Sequence, residues 1–165
     1  MSKSFPYRSI LIVCSVNTAR SPMAEGFLKD YFSKNNLKTK VRSCGISSNA
    51  RDGMLISRDA IDAMKEIGIQ LSEDSISMDL KKHPDLLDGV DLILTLTDKH
   101  KSEVLEFNGV EDKTICTLKE FAGESGDIED PSMKGLDGFR IARNKVTECL
   151  MKGLKRVENK KSYSI

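Results

Sequence analysis

Residues 9–22 read SILIVCSVNTARSP, and this stretch decides how the rest of the chain is arranged. Its apolar run at 10–13 is typical of a strand covered on both faces, the usual condition in a parallel sheet. Ser21 followed by Pro22 predicts a helix start, with a capping hydroxyl and then a proline at the first helical position. A buried strand, a six-residue loop (15–20) and a helix together predict an α/β fold.

Further short strands alternate with helical patterns along the chain. Strands are predicted at 40–43 and 90–95, with a weaker candidate at 113–116. Helices are predicted from Ser21, from Ser57 to Gly68, over 98–106 and from about Leu136 onward. The second of these places Ala60, Ile61, Met64 and Ile67 on one apolar face. We predict one domain over residues 1–165, with a core at about 9–158 and frayed termini. Its architecture is a three-layer α/β sandwich, a four-stranded parallel sheet with helices on both faces.

Composition excludes several classes of protein. The 165 residues carry 26 Lys and Arg against 25 Asp and Glu, a formal charge of +1, which does not fit a nucleic-acid-coating protein. No apolar run is long enough to cross a bilayer, and no signal peptide precedes residue 10. The four cysteines form no Cys-x-x-Cys pair and have no metal-ligand spacing to either histidine, so we predict reduced thiols and no metal site. These features predict a soluble, cytoplasmic protein.

The loop after the first strand combines three groups that suit chemistry on a phosphoryl group. In a parallel α/β sheet, ligands bind beyond the carboxyl ends of the strands. The N–H groups of a tight loop and the start of the next helix both favour an anion there, and they favour the thiolate form of Cys14. The guanidinium of Arg20 can hold two oxygens of a phosphate. The segment therefore predicts phosphoryl capture by sulfur.

With Met23-Ala24-Glu25 after it, this segment resembles the low-molecular-weight protein tyrosine phosphatase family, whose loop usually reads Cys-x-Gly-Asn-x-Cys-Arg-Ser-Pro. Ser43-x-Gly45, the stretch 91–100 and Asp130-Pro131 are similar to further family motifs, so the resemblance covers about 9–158. It implies the family's Rossmann-like fold, a phosphatase that needs no cofactor or metal, and roles assigned by position. Cys14 is implied as the nucleophile, Asp130 as the general acid and base, and Arg20 as the side chain that binds phosphate.

The remaining implied roles concern the loop itself. The residues implied to bind phosphate are Ser15, Val16, Asn17, Thr18, Ala19, Arg20 and Ser21. Asn17 is implied to brace the loop together with Ser43, and Ser21 to offer its hydroxyl to the thiolate or to the leaving sulfur. Neither histidine is needed as a base; we expect His83 in a loop and His100 on a helix surface or capping a loop. Cys44, Cys116 and Cys149 are predicted to be core residues.

Three positions of the loop bear on activity and substrate. Val16 stands where the family has glycine, and a valine forced into a positive φ would distort the loop. Ala19 replaces the family's second loop cysteine, which can trap an oxidised nucleophile as a disulfide. Thr18 matches the family's bacterial protein-arginine phosphatase branch.

We predict a phosphatase acting on phosphotyrosine in a phosphoprotein or phosphopeptide, with inorganic phosphate or another oxyanion able to occupy the loop. The alternatives are a protein-arginine phosphatase with the same mechanism and an impaired phosphate-binding pseudophosphatase.

Overall fold

The strand at the start of the quoted segment lies inside a four-stranded sheet. In the computed structural model, which describes the backbone of residues 4–163 and side chains through residue 158, β1 (Ser9–Cys14) pairs with β2 (Lys40–Gly45) and β3 (Leu92–Thr95). β3 also pairs with β4 (Thr114–Thr117), which gives the strand order β2-β1-β3-β4. Every pairing is parallel, as predicted from the alternation of strands and helices.

Helices cover both faces of this sheet. They are α1 (Arg20–Lys34), α2 (Arg58–Lys65), α3 (Asp98–Leu105), α4 (Leu118–Phe121), α5 (Gly135–Tyr163) and a short 3-10 helix (Pro84–Leu87). Alternate residues of β1 face opposite sides, because side chains along a strand point alternately up and down. Ile10 and Ile12 pack with Leu28 of α1 and Leu150 of α5, whereas Leu11 and Val13 pack on the other face. The predicted three-layer architecture is therefore confirmed.

The second helix differs from its prediction. It ends at Lys65, and Ile67, which the apolar spacing placed on the buried face, is 42% exposed. Because the helix ends two residues before Ile67, helical spacing no longer sets the position of that side chain. Gly68, with a φ of 81°, then turns the chain away. α2 packs mainly on α1 and α5, through Met23, Met64 and Phe139, rather than directly on the sheet.

Other elements also begin or end at residues different from those predicted. β2 continues two residues beyond its predicted end, to Gly45, and β3 begins two residues later than predicted, at Leu92. The four-residue α4 was not predicted; Thr117 and Glu120 form a capping box there. α5 continues to Tyr163, into the segment expected to fray, and residues 1–3 and 164–165 lie outside the described chain. Within the described residues, no helix combines the length and the apolar character that a membrane span requires.

Candidate active site

The loop between β1 and α1 lies against the carboxyl end of β2. The carbonyl oxygen of Ser15 accepts hydrogen bonds from the N–H groups of Ile46 and Ser47, both at 3.1 Å. A Cβ atom at Gly45 would lie 2.8 Å from that carbonyl oxygen and 3.0 Å from the carbonyl carbon of Val16. Glycine is therefore needed at position 45 because two backbone segments approach closely, which fixes where the loop begins.

The sulfur of Cys14 lies at the buried end of β1, under the loop. It is 2.8 Å from the hydroxyl oxygen of Ser21, and it accepts a hydrogen bond from the N–H of Asn17 at 3.3 Å. The prediction that Ser21 caps the helix is wrong: α1 begins at Arg20, the cap position is Ala19, and no side chain caps it. The Ser21 hydroxyl faces the sulfur instead, because its place in the first turn directs it into the loop.

Asn17 holds the loop closed from within. Its φ of 63° places it in the left-handed region that asparagine tolerates better than most residues. Its side-chain nitrogen donates to Ser21 Oγ and to Ser43 Oγ, both at 2.9 Å, and its oxygen accepts from the N–H of Met78 at 3.0 Å. Since Ser21 accepts from Asn17, the hydroxyl proton of Ser21 is free to be donated to the Cys14 sulfur. Ser43, the predicted support, donates in turn to the Glu25 carboxylate.

Val16 does not distort this loop. Among the described residues, the non-glycine positions with positive φ are Asn17, Asn36 and Met133, so Val16 has an ordinary backbone conformation. The side chains of Val16 and Thr18 are half-buried, and that of Ala19 is buried against α2. The carbonyl oxygen of Thr18 accepts from the N–H of Ser57 at 2.8 Å, which ties the loop to the start of α2. The left-handed position of the loop is at the asparagine rather than one residue earlier.

Arg20 connects the loop to the segment that carries Asp130. The residue is 4% exposed, and its Nη1 donates to the carbonyl oxygen of Ile128 at 2.8 Å. Its Nη2 donates to Ser15 Oγ at 3.1 Å and lies 4.0 Å from Asp130 Oδ2. One guanidinium therefore spans two segments that are far apart in sequence.

Asp130 is half-exposed at the edge of the loop. One of its carboxylate oxygens accepts from the N–H of Ser132 at 2.9 Å and from its hydroxyl at 2.7 Å. Partial burial acts to raise the pKa of Asp130, but the hydrogen bonds from Ser132 and the charge of Arg20 outweigh it. The pKa of Asp130 is therefore lower than that of an ordinary aspartate.

His100 was missed as a site residue; of its two expected places, on a helix surface or capping a loop, the first is wrong, and the residue contacts the loop at Ser15. The side chain is only 3% exposed, and Nε2 lies 2.9 Å from Ser15 Oγ. Burial, and after it the positive charge of Arg20, lowers the pKa of His100 to about 4. The spacing contained a signal: His100 lies four residues before Val104, which is fully buried, so both share one face of α3.

Among the described residues, the other three cysteines and His83 make no side-chain hydrogen bond to this loop. Burial raises the pKa of the Cys44 and Cys149 thiols and raises that of Cys116 to about 11. His83 precedes the 3-10 helix, and its Nε2 lies 2.7 Å from Asp52 Oδ2. In the part of the chain that the structure describes, no three metal-ligating side chains come together.

The Cys14 sulfur lies under the loop, and the Arg20 guanidinium joins the loop, through Ser15, to the segment that carries Asp130. Two hydrogen-bond donors reach the sulfur, one buried cation contacts the side chain of the next residue, Ser15, and one half-exposed carboxyl lies 4.0 Å from that cation. This arrangement can stabilise a thiolate, hold the oxygens of a phosphoryl group and exchange a proton with a leaving group.

Comparison with known proteins agrees with this chemistry. Residues 9–163 match the family model described as low molecular weight phosphotyrosine protein phosphatase. A protein-arginine-phosphatase of Geobacillus stearothermophilus is 37% identical over 143 residues, which cover 86% of this chain and 89% of the relative. A solved structure of a low molecular weight protein tyrosine phosphatase from T. tengcongensis is 30% identical, with a TM-score of 0.80, over 90% of this chain and 98% of that one.

A further solved structure carries a phosphorylated residue of its own. It is a mutant of the YwlE arginine phosphatase with a phosphorylated active-site serine, 30% identical, with a TM-score of 0.79, over 90% of this chain and 94% of that one. The family model spans nearly the whole described chain, and the fold agrees with that of the solved relatives over the same range. This chain therefore belongs to the low molecular weight phosphotyrosine protein phosphatase family, and it is a phosphatase.

Proposed function

We propose that this phosphatase hydrolyses phosphotyrosine in proteins through a cysteinyl-phosphate intermediate. The sulfur of Cys14 attacks phosphorus in line and forms an S–P bond while the P–O bond to the phenol breaks. Asp130 gives its proton to the departing oxygen, then takes a proton from the water that attacks the intermediate. The S–P bond breaks, inorganic phosphate leaves, and the thiolate of Cys14 is restored. The side chain of Arg20 and the N–H groups of loop residues 15–20 hold the phosphoryl oxygens.

The observation that carries this proposal is the position of the Cys14 sulfur. The sulfur is buried at the end of β1 and lies 2.8 Å from the hydroxyl oxygen of Ser21. Because that oxygen accepts a hydrogen bond from Asn17, its own proton can be donated to the sulfur. A buried thiolate needs hydrogen-bond donors to be stable, and the N–H of Asn17 supplies a second one. Ser21 and Asn17 therefore support Cys14 as the nucleophile, as the family resemblance implies.

A second candidate substrate is phosphoarginine. Thr18 lies in the loop with a half-buried side chain, and no aromatic residue follows Asp130-Pro131, where Ser132 and the fully exposed Met133 stand. The 37% identical relative is itself named a protein-arginine-phosphatase. A hydroxyl at Thr18 can hydrogen-bond to a guanidinium, whereas the site's rim offers little ring stacking for tyrosine.

Phosphate release from matched peptides tests the substrate. One peptide carries phosphotyrosine and the other carries phosphoarginine in the same flanking sequence. Higher kcat/KM on phosphotyrosine supports the main proposal, and higher kcat/KM on phosphoarginine selects the alternative. If the protein hydrolyses neither peptide nor p-nitrophenyl phosphate, yet is stabilised against heat by inorganic phosphate, it is a phosphate-binding module without turnover.

Asp130→Asn is expected to separate good from poor leaving groups. Hydrolysis of phenyl phosphate should slow by about 10²-fold or more, because the phenolate then departs without a proton. Nitrophenolate is a weak base, so p-nitrophenyl phosphate should lose much less. The measurement is kcat for both esters, with Glu129→Gln as the control, since Glu129 is the exposed neighbouring carboxylate paired with Lys134. Equal losses on both esters would argue against Asp130 as the acid.

The pH profile should favour the acidic side of neutrality. Asp130 must carry a proton in the first step, and its lowered pKa means that the proton is lost as pH rises. A bound phosphoryl dianion raises that pKa again, because like charges disfavour the ionised carboxyl. We expect kcat for phenyl phosphate, which reports the enzyme–substrate complex, to be highest below neutral pH and to decline above it. The decline should vanish in Asp130→Asn; a decline of unchanged shape would assign it to another group.

Oxidation by mild peroxide should convert Cys14 to sulfinic acid without forming a disulfide inside the chain. Ala19 places no thiol in the loop, and Cys44 packs on the opposite face of the sheet from Cys14. The raised pKa of Cys116, about 11, keeps that thiol protonated and unreactive. Peptide mapping by mass spectrometry without reduction checks this, and inorganic phosphate in the loop should protect Cys14. A Cys14-linked disulfide to another cysteine of the chain would contradict the prediction.

The remaining expectations concern partners and compartment. We propose a phosphoprotein as partner and no nucleic acid, since positive and negative charges nearly balance in the sequence. We also propose a cytoplasmic location, which the four free thiols support because a reducing compartment preserves them.

A further inference from the structure

His100 and Arg20 contact the same hydroxyl oxygen. His100 is the third residue of α3, and its Nε2 lies 2.9 Å from Ser15 Oγ. Arg20 Nη2 donates to that oxygen at 3.1 Å. Ser15 immediately follows Cys14, and its hydroxyl contacts the guanidinium proposed to bind the phosphoryl oxygens. His100 has no role in the proposed reaction steps and is not part of the loop motif.

The proton on His100 is fixed by what surrounds its two ring nitrogens. With a pKa lowered to about 4, the ring is neutral near pH 7 and carries one N–H. Nδ1 is buried and has no hydrogen-bond partner among residues 4–158, whose side chains are described. An N–H placed there would be buried and unsatisfied, which is rare and destabilising. The proton therefore lies on Nε2 and is donated to Ser15.

Because the hydroxyl oxygen of Ser15 accepts two hydrogen bonds, the hydroxyl can take part in a further one only as the donor. A hydroxyl has two lone pairs and one proton, and guanidinium groups only donate, so Arg20 and His100 fill both lone pairs. Ser15 must then donate its own proton in the remaining direction. In the described part of the chain, no protein oxygen accepts that proton. Arg20, one of the two donors, is also the side chain proposed to bind the phosphoryl oxygens.

We infer that the Ser15 hydroxyl is a side-chain hydrogen-bond donor to a phosphoryl oxygen, and that His100 is a positioning residue that directs it there. The inference rests on the proposed function, since it requires a phosphoryl group in the loop. The phosphoryl oxygens are then held by the main-chain N–H groups, by Arg20 and by the neutral hydroxyl of Ser15. His100, which lies on α3, sets the direction in which that hydroxyl donates. His100 acts on phosphate only through Ser15, so it is a positioning residue and not a catalytic one.

A double-mutant cycle tests this link. Ser15→Ala should weaken both inhibition by inorganic phosphate and kcat/KM for p-nitrophenyl phosphate by about 10-fold, the usual effect of one hydrogen bond to a charged group. His100→Leu should weaken both by about 3-fold, because the hydroxyl then turns freely. The double variant should lose no more than Ser15→Ala alone. His100→Gln, with an amide N–H to offer, and Ser15→Thr should recover most of each loss.

Two measurements make the outcome decisive. Ser102→Ala, at an exposed position of the same helix, is the control and should behave as wild type. Long-range proton–nitrogen NMR of the unmutated protein should show the proton of His100 on Nε2. A proton on Nδ1, phosphate inhibition unchanged in Ser15→Ala, or losses that add in the double variant would each overturn the inference. If the wild type hydrolyses no ester, direct phosphate titration by NMR still distinguishes Ser15→Ala from wild type, so a failed function is separable from a failed donor.

Discussion

Cys14→Ser is expected to abolish turnover while leaving the fold and the phosphate site in place. We expect a loss of kcat on p-nitrophenyl phosphate of about 10⁴-fold or more, comparable to removal of other covalent nucleophiles. A serine hydroxyl is a much weaker nucleophile than a cysteine sulfur, so the attack on phosphorus slows. The second step slows too, because an alkoxide is a much poorer leaving group than a thiolate when water attacks the phosphorylated side chain.

The matched control for this variant is Cys116→Ser. Cys116 lies on β4, which β3 separates from β1, and its thiol has a raised pKa of about 11. Cys116→Ser also replaces a sulfur by an oxygen, but Cys116 does not contact the loop. Activity should therefore stay near the wild-type value. Inorganic phosphate should still raise the melting temperature of Cys14→Ser, because Arg20 and the loop N–H groups remain. Nitrophenol release that survives in Cys14→Ser would rule out the cysteinyl-phosphate route.

The catalytic loop and the sheet could be predicted because their signals are local. The run at 10–13, the loop 15–20 and Pro22 lie within one short segment, and a parallel sheet follows from strands alternating with helices. The contacts of Asp130 could not be obtained in that way. Its place beside the loop depends on Arg20 reaching Ile128 across more than a hundred residues, which no local pattern encodes. For Asp130 the resemblance to a family supplied what spacing could not.

The cap predicted at Ser21, the surface position expected for His100 and the strain considered at Val16 are each absent for a different physical reason. A serine before proline is typical of a helix cap, but the hydroxyl of Ser21 finds a stronger use at a buried sulfur. Because His100 is polar, a helix surface or a loop cap is expected for it, although its spacing from Val104 places it on the buried face of α3. The backbone angle at Val16 depends on which loop residue takes the left-handed conformation, and Asn17 takes it. Tertiary contacts decided each of these positions.

Arg20→Lys should show that one guanidinium serves both the phosphoryl group and the acid segment. We expect kcat on p-nitrophenyl phosphate to fall by about 10³-fold, within the range for arginines that stabilise phosphoryl transfer. Nη1 is held by the carbonyl oxygen of Ile128 while Nη2 faces Ser15 and Asp130. An ammonium group is a single point of charge, so lysine can satisfy one of these sites but not both. The loss should appear in kcat more than in KM, because the charge on the oxygens increases toward the transition state.

Arg143→Lys separates this effect from simple loss of a buried arginine. Arg143 is also buried and also donates from Nη1 to a backbone carbonyl, that of Ala63 at 2.8 Å, but it lies between α5 and α2. Both variants should unfold at lower temperature, since each leaves a buried carbonyl short of a donor. Only Arg20→Lys should lose much more activity than its lower stability can account for. Equal losses of activity in the two variants would mean that Arg20 supports the fold, and the phosphoryl oxygens would then have to be held by the loop N–H groups alone.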